Sequence, residues 1–316
     1  MEDEEYVEIN KMDKDRILFF MNNYDLITKY ELVEDRICLG EITDENTCRF
    51  CGKGTPEVSF KTIAHAIPEF IGNRLLFSSY ECDTCNGKFG RSIENHFANF
   101  LGIARTLSQI KGKKGIPSYK KGNSRIDVDK VISVKTSVND PIYKLDQESH
   151  VIDFEGFKEP FIPAAAYKCL VKMAISIMPE EEVQHYRKAV KWILEEDLKE
   201  CTYPHLTLQA LRAFSPVPSK SITNLLFRRK EHSKDNVFYM IYVVIFSSYM
   251  YQIYLPLSPK DDSLIGKDIV IAPFPAYLNS PLDESIYEWR DFTNYDLVKD
   301  EPITIRFRYE SETAPI

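Results

Sequence analysis

Residues 48–90 read CRFCGKGTPEVSFKTIAHAIPEFIGNRLLFSSYECDTCNGKFG. Two Cys-x-x-Cys pairs bracket the stretch, Cys48/Cys51 and Cys82/Cys85, with 30 residues between them. Two residues between cysteines let both sulfurs reach one metal from a tight turn. Two such pairs supply the four thiolates of a tetrahedral Zn²⁺ site. Gly52 follows the first pair, where the turn of a zinc knuckle wants a backbone with φ > 0. A four-cysteine site has no open coordination position, so this zinc is expected to build the fold and leave chemistry to other residues. The reactive groups must lie between the pairs and after them.

Between the pairs stand Ala64-His65-Ala66-Ile67-Pro68 and then Gly72-Asn73. The second pair closes as Cys82-Asp83-Thr84-Cys85-Asn86, followed by Phe89-Gly90. A His-x-x-Pro and a Gly-Asn turn, set between two zinc-binding pairs and ending in C-x-x-C-N, resembles the HNH endonuclease motif over roughly residues 46–120. The fuller string AHAIPE…GN…ECDTCN..FG…E is most similar to stand-alone bacterial HNH nucleases of the phage-defence kind. The resemblance implies a ββα-metal unit, a hairpin and a helix clamped on one divalent ion. It also implies that His65 is the general base. The chemistry agrees, because hydrolysis of a phosphodiester needs a water activated near neutral pH and a cation to neutralise the scissile phosphate.

The catalytic ion, Mg²⁺ or Mn²⁺, needs oxygen ligands. Asn86 matches the family position that starts the helix and faces the metal. Glu94 lies eight residues on, about two helical turns, and so shares the face of Asn86 if the helix is continuous. It is either a ligand or a solvated helix carboxylate. His96 is rotated off that face and enters because families of this type often end with His; the alternative is a structural histidine. The sequence departs from the family twice. Ala64 stands where an Asp, Glu or His ligand is usual. The family's middle Asn, which helps hold the base, is missing from Leu76-Phe77-Ser78-Ser79. Asn73 is expected to take a left-handed turn position after Gly72.

Outward from this stretch the charge is uneven. The whole chain of 316 residues carries a net −8, which spread evenly would disfavour a nucleic-acid partner. Divided, it is −9 over residues 1–45, +6 over 46–120 and −5 over 121–316. Arg105, Lys111, Lys113 and Lys114, with Gly112 and Gly115 among them, suit phosphate contacts that carry no sequence information. A solvated linker is the plainer alternative. DNA is the expected partner. The acidic N-terminal tail, residues 1–12, is expected to restrain the basic surface.

The remaining pattern predicts an α+β fold, with a zinc-stabilised HNH domain, an N-terminal helical extension and a larger α+β C-terminal domain. The expected divisions are 1–45, 46–122 and 123–316. Asp13 to Arg36 and residues 87–104 read as helices, and Lys111 to Arg125 as a loop. VDKVISVKTSV, DIVIAPF and ITIRFRY read as strands, and Pro163 starts a long helix interrupted near Pro179. VFYMIYVVIFSSYMYQIYLPL, residues 237–257, suits two strands better than a membrane span. Cys38, Cys169 and Cys201 are expected as buried small hydrophobes. The acidic N-terminus lacks a signal-peptide pattern, so a cytoplasmic protein with no membrane partner is expected. Residues 123–316 carry no recognisable chemistry and are expected to regulate, bind a protein partner or form a homo-oligomer. The alternatives to a DNA endonuclease are a non-catalytic zinc module for nucleic-acid or protein binding, and a nuclease directed at RNA.

Overall fold

A computed structural model describes residues 11–41, 43, 46–215, 217–276 and 286–310. Most of the acidic tail, residues 1–10, lies outside them.

Helix α1 (Lys11–Asn23) is followed at once by strand β1 (Tyr24–Leu32). The continuous helix expected to Arg36 stops at Asn23, whose side chain donates back to the Phe19 carbonyl (3.0 Å) and to Asp235 (2.9 Å). The stretch after it pairs antiparallel with a strand two hundred residues away, and that tertiary pairing overrides the local helical pattern. The short strands β2 (Ile37–Leu39), β3 (Ala64–His65) and β4 (Leu76–Ser78) form one sheet, with β4 central, parallel to β2 and antiparallel to β3. Helices α2 (Asp83–Arg91), α3 (Ile93–Leu101) and α4 (Ile103–Leu107) come next. The single helix expected over 87–104 is therefore broken twice, at Ser92 (φ −116°, ψ −102°) and at Gly102 (φ 50°).

The expected Gly- and Lys-rich loop contains β5 (Tyr119–Lys121), which opens a meander with β6 (Ser124–Val128) and β7 (Ile132–Lys135). VDKVISVKTSV is thus the end of one strand, a turn and the next strand. Strands β8 (Tyr143–Asp146) and β9 (Val151–Phe157) precede helices α5 (Pro163–Ile177), α6 (Glu180–Val183) and α7 (Arg187–Ile193), which follow the interrupted pattern read around Pro179. Strands β10 (Gln209–Phe214), β11 (Ile222–Arg229), β12 (Met240–Phe246), β13 (Tyr249–Tyr254), β14 (Ile286–Asp291) and β15 (Pro302–Arg308) complete the described chain. DIVIAPF forms no strand. It is an extended strap, held where the Gln252 side chain donates to Ala272 O (2.9 Å) and accepts from Phe274 N (2.7 Å) in place of a neighbouring strand.

The main sheet is antiparallel in the order β1-β11-β12-β13-β10-β14, and a second joins β15-β9-β8. The main sheet is buried on both faces. Tyr242, Val244, Tyr251 and Ile253 face the large core, while Ile241, Val243 and Met250 face α1 residue Phe20 on the other side. Double burial explains why residues 237–257 are apolar nearly throughout and still fold as a hairpin. Among the described residues no helix is long and apolar enough to cross a membrane.

Helix α5 is the axis of the large core. All 15 of its residues are buried, Lys168, Lys172 and Ser176 among them, and α3 and α7 pack along it. The core is continuous from Cys48, Phe50, Ala66, Phe89 and Phe97 through α5 to the main sheet. Of the three single cysteines, Cys169 on α5 is buried, but Cys38 and Cys201 are exposed. Cys38 is the middle residue of β2, so the strand's alternation turns it away from the core side taken by Leu39.

Candidate functional site

The four cysteines converge. Their sulfurs all lie within 4.8 Å of one another, the one such His/Cys/Asp/Glu cluster among the described residues. Thiolates about 2.3 Å from a shared zinc stand about 3.8 Å apart in a tetrahedron, and Sγ of Cys51 and Cys82 are separated by 3.8 Å. The first pair sits on a turn in which Gly52 donates to Cys48 O (2.8 Å) with φ 72°, the conformation expected of it. The second pair opens α2: Cys82 is the residue before the helix, and its Sγ accepts from Cys85 N (3.4 Å). A hydrogen bond between the pairs pulls the Cys48 thiol down to about 5 and pushes Cys85 well up. Four such sulfurs cannot all ionise unaided, and a divalent cation is what their charge lacks. The donor set and spacing therefore fit a structural zinc.

The strands between the pairs carry His65. In register it faces Phe77 across β3 and β4, with the two rings 4.7 Å apart, and Arg36 lies 4.2 Å over the same Phe77 ring. With α2 following, β3, β4 and α2 make a hairpin-and-helix unit beside the cysteines. Asp83 ties the approach to β3 by accepting from Lys61 N (3.0 Å) and Thr62 N (2.9 Å). Asn73 does not take the left-handed turn; Gly72 does (φ 101°). Asn73 is instead fully buried, its amide donating to Ile67 O and Leu76 O and its oxygen accepting from Leu75 N and Leu76 N. That bracket pins the segment after His65 to β4.

Burial pushes the half-buried His65 below the ordinary imidazole value. Glu69 opposes the fall, Lys172 adds to it, Glu94 opposes and Lys113 adds again. These four charges are thus the electrostatic neighbours of the imidazole. Lys172 lies far along the chain from the expected site residues. It sits on α5 with its ammonium 3.0 Å from Glu81 Oε2 and 3.3 Å from Glu94 Oε1, and it donates to His65 O (3.2 Å). Burial pushes Glu81 up to about 7 against the pull of Lys172. The signal was present in PAAAYKCLVKMAISI, where Lys168, Lys172 and Ser176 recur every four residues in an otherwise apolar helix.

The other expected residues separate. Asn86 lies in the first turn of α2, half-buried. Glu94 is on α3, across the break at Ser92, so the two do not share one helical face as the spacing implied. Ala64 is buried and offers no donor. An Mg²⁺ or Mn²⁺ ion commonly takes one or two carboxylates and completes its shell with water and substrate phosphate. Of Asn86 and Glu94, Glu94 is the carboxylate, and one of its oxygens is already on Lys172. His96 is committed elsewhere, because its Nδ1 accepts from Ile162 N (3.1 Å) just before α5. A neutral imidazole accepting at Nδ1 carries its proton on Nε2, leaving no lone pair for a metal. His96 links α3 to α5.

The basic loop divides in the same way. Gly112 and Gly115 exchange backbone hydrogen bonds (3.0 Å each), so Lys113 and Lys114 form the exposed tip of a tight turn, with Lys111 exposed beside it. Arg105 is a strut for that turn. Its Nε donates to Phe70 O (3.1 Å) and its guanidinium lies over the Phe70 ring, so it is not presented to a phosphate. Arg74, donating to Gly112 O (3.0 Å), braces the other side.

A family model described as HNH endonuclease matches residues 48–101, from the first cysteine to the end of α3. No curated protein and no solved structure matches the chain. Over that segment the chain is similar to HNH endonucleases.

Proposed function

We propose that the chain is a metal-dependent HNH endonuclease that hydrolyses DNA phosphodiester bonds. His65 takes the proton of the attacking water. The observation that carries this reading is a half-buried His65, held below the ordinary imidazole value chiefly by burial, on a strand between the two clustered cysteine pairs of the segment that matches HNH endonucleases. Mg²⁺ or Mn²⁺ would be held by Glu94 and Asn86 with the substrate phosphate, and supplies charge neutralisation at the scissile group. Lys111, Lys113 and Lys114 contact the backbone of the nucleic acid without reading its sequence. Residues 46–122 carry the chemistry, and 1–45 and 123–316 serve as scaffold and as the surface for a partner or second copy. A role in bacterial anti-phage defence rests on the likeness of AHAIPE…GN…ECDTCN..FG…E to nucleases of that kind, and a cytoplasmic location on the acidic N-terminus without a signal-peptide pattern.

Nicking of supercoiled plasmid with Mg²⁺ or Mn²⁺ tests the reading. His65→Ala should lower the rate by on the order of 10²-fold or more, the usual weight of a general base. Cleavage that survives the substitution would sink the mechanism, and faster cleavage of RNA in a parallel assay would change the substrate. Ala64 at a ligand position favours a second reading, a zinc module that binds nucleic acid without cutting it. That reading predicts binding, and no cleavage, by the wild-type chain.

A further inference from the structure

We propose that Lys172, outside the segment that matches the nuclease family, is a positioning residue of the nuclease site, its ammonium holding His65 and Glu94 in one frame. The inference rests on the nuclease reading above. An ammonium has three N–H groups, and three oxygens surround this one: His65 O at 3.2 Å, Glu81 Oε2 at 3.0 Å and Glu94 Oε1 at 3.3 Å. They belong to three separate pieces of the site. His65 is on β3, Glu81 directly precedes the second cysteine pair, and Glu94 is on α3.

Stability alone does not call for this arrangement. The Lys172 and Glu81 side chains are both 0% exposed, and a buried ion pair is often replaced by apolar residues at no loss. A methionine is of similar length and would keep a favourable contact with the Phe89 ring, 5.7 Å from the ammonium. Glu81 has no well-aligned hydrogen bond, so the ammonium is its compensation. Lys168, one turn earlier on the same helix, gives an internal contrast. It is equally buried, but its ammonium goes to Glu195 (2.6 Å) and the Trp192 ring (5.0 Å), away from His65. The two lysines differ in what they touch, and only Lys172 touches the site. Because α5 begins at Pro163, the frame of the site is closed by a helix far along the chain from the last matched residue, 101.

The test uses the full chain carrying Lys172→Met with Glu81→Gln, so that no buried carboxylate loses its cation. Lys168→Met serves as control. Nicking gives kcat and KM, ¹H–¹⁵N spectra of the imidazoles report on His65 (identified by its loss in His65→Ala), and unfolding midpoint and zinc content report on the fold. The double variant should keep its zinc and unfold near wild type. Its kcat should fall on the order of 10²-fold, the cost of about 1 Å of misplacement, with KM unchanged. The His65 signal should move while those of His150, His185, His205 and His232 stay. Lys168→Met should change neither kcat nor the His65 signal. A folded double variant with wild-type kcat and an unmoved His65 signal overturns the proposal. If the double variant does not fold, Lys172→Arg keeps the cation but displaces its donors, with the same expected and overturning results. A wild-type chain that cuts nothing ends the nuclease reading, and the His65 signal still decides whether Lys172 positions it.

Discussion

As the proposed base, His65 is tuned by burial first, with charges of both signs adjusting the result. Its pKa lies below the ordinary 6.5, so the neutral, proton-accepting form persists to lower pH than that of a free imidazole. The acid limb of the nicking rate should therefore fall below about pH 6.5. A pH series of kcat/KM checks this, and a limb above that value contradicts it. His65 and the four cysteines were legible because their meaning lies in local spacing. Asn73 was half legible. Gly-Asn announced a turn, but only the closed loop shows that Gly72 takes the strained φ while Asn73 spends its donors and acceptor on the bracket. Lys172 and Glu81 are 91 residues apart in numbering and meet only in the fold.

Among the elements, the knuckle can be tested separately from its helix cap. Cys82 both belongs to the cysteine cluster and caps α2 through its Sγ. Serine keeps a capping oxygen but makes a poor zinc ligand. Wild-type chain should therefore contain about one zinc, and Cys82→Ser should lose it together with a marked drop in unfolding midpoint and in helical circular dichroism. Zinc loss with an unchanged midpoint would mean that the metal does not hold the fold. The break at Ser92 belongs to this scale too. The apolar positions Phe89, Ile93, Phe97 and Phe100 are all buried and all keep helical spacing, so the pattern read as one helix. Periodicity reports which side is apolar and is blind to a one-residue change of axis between two short helices. The α1–β1 boundary was hidden for another reason: pairing of β1 with β11 overrides a local helical pattern.

At the scale of the molecule, the 46–120 island is not surrounded by solvent. Phe97 packs edge-on to Tyr251 of β13, Phe100 meets Phe161 and Phe292, and Arg49 caps the C-terminal end of α5 through Ile175 O, Ser176 O and Met178 O. Residues 46–122 produced alone would expose this apolar face and leave Glu81 without its ammonium. The fragment should be aggregated or lack cooperative unfolding in calorimetry, whereas the full chain should unfold with its nuclease segment and main sheet in one transition. A soluble fragment with its own sharp transition would show that the segment stands alone. The sequence by itself determined the spacing of the four cysteines, the position of His65 between them, the α+β class and the lysine-rich turn, because each is written in residue types at short, fixed spacings. Tertiary structure alone decided that Arg105 and His96 turn inward, that β1 joins the main sheet, and that a lysine of the central helix closes the site. Those outcomes depend on which distant segments the shared core brings together, and local periodicity carries no record of that.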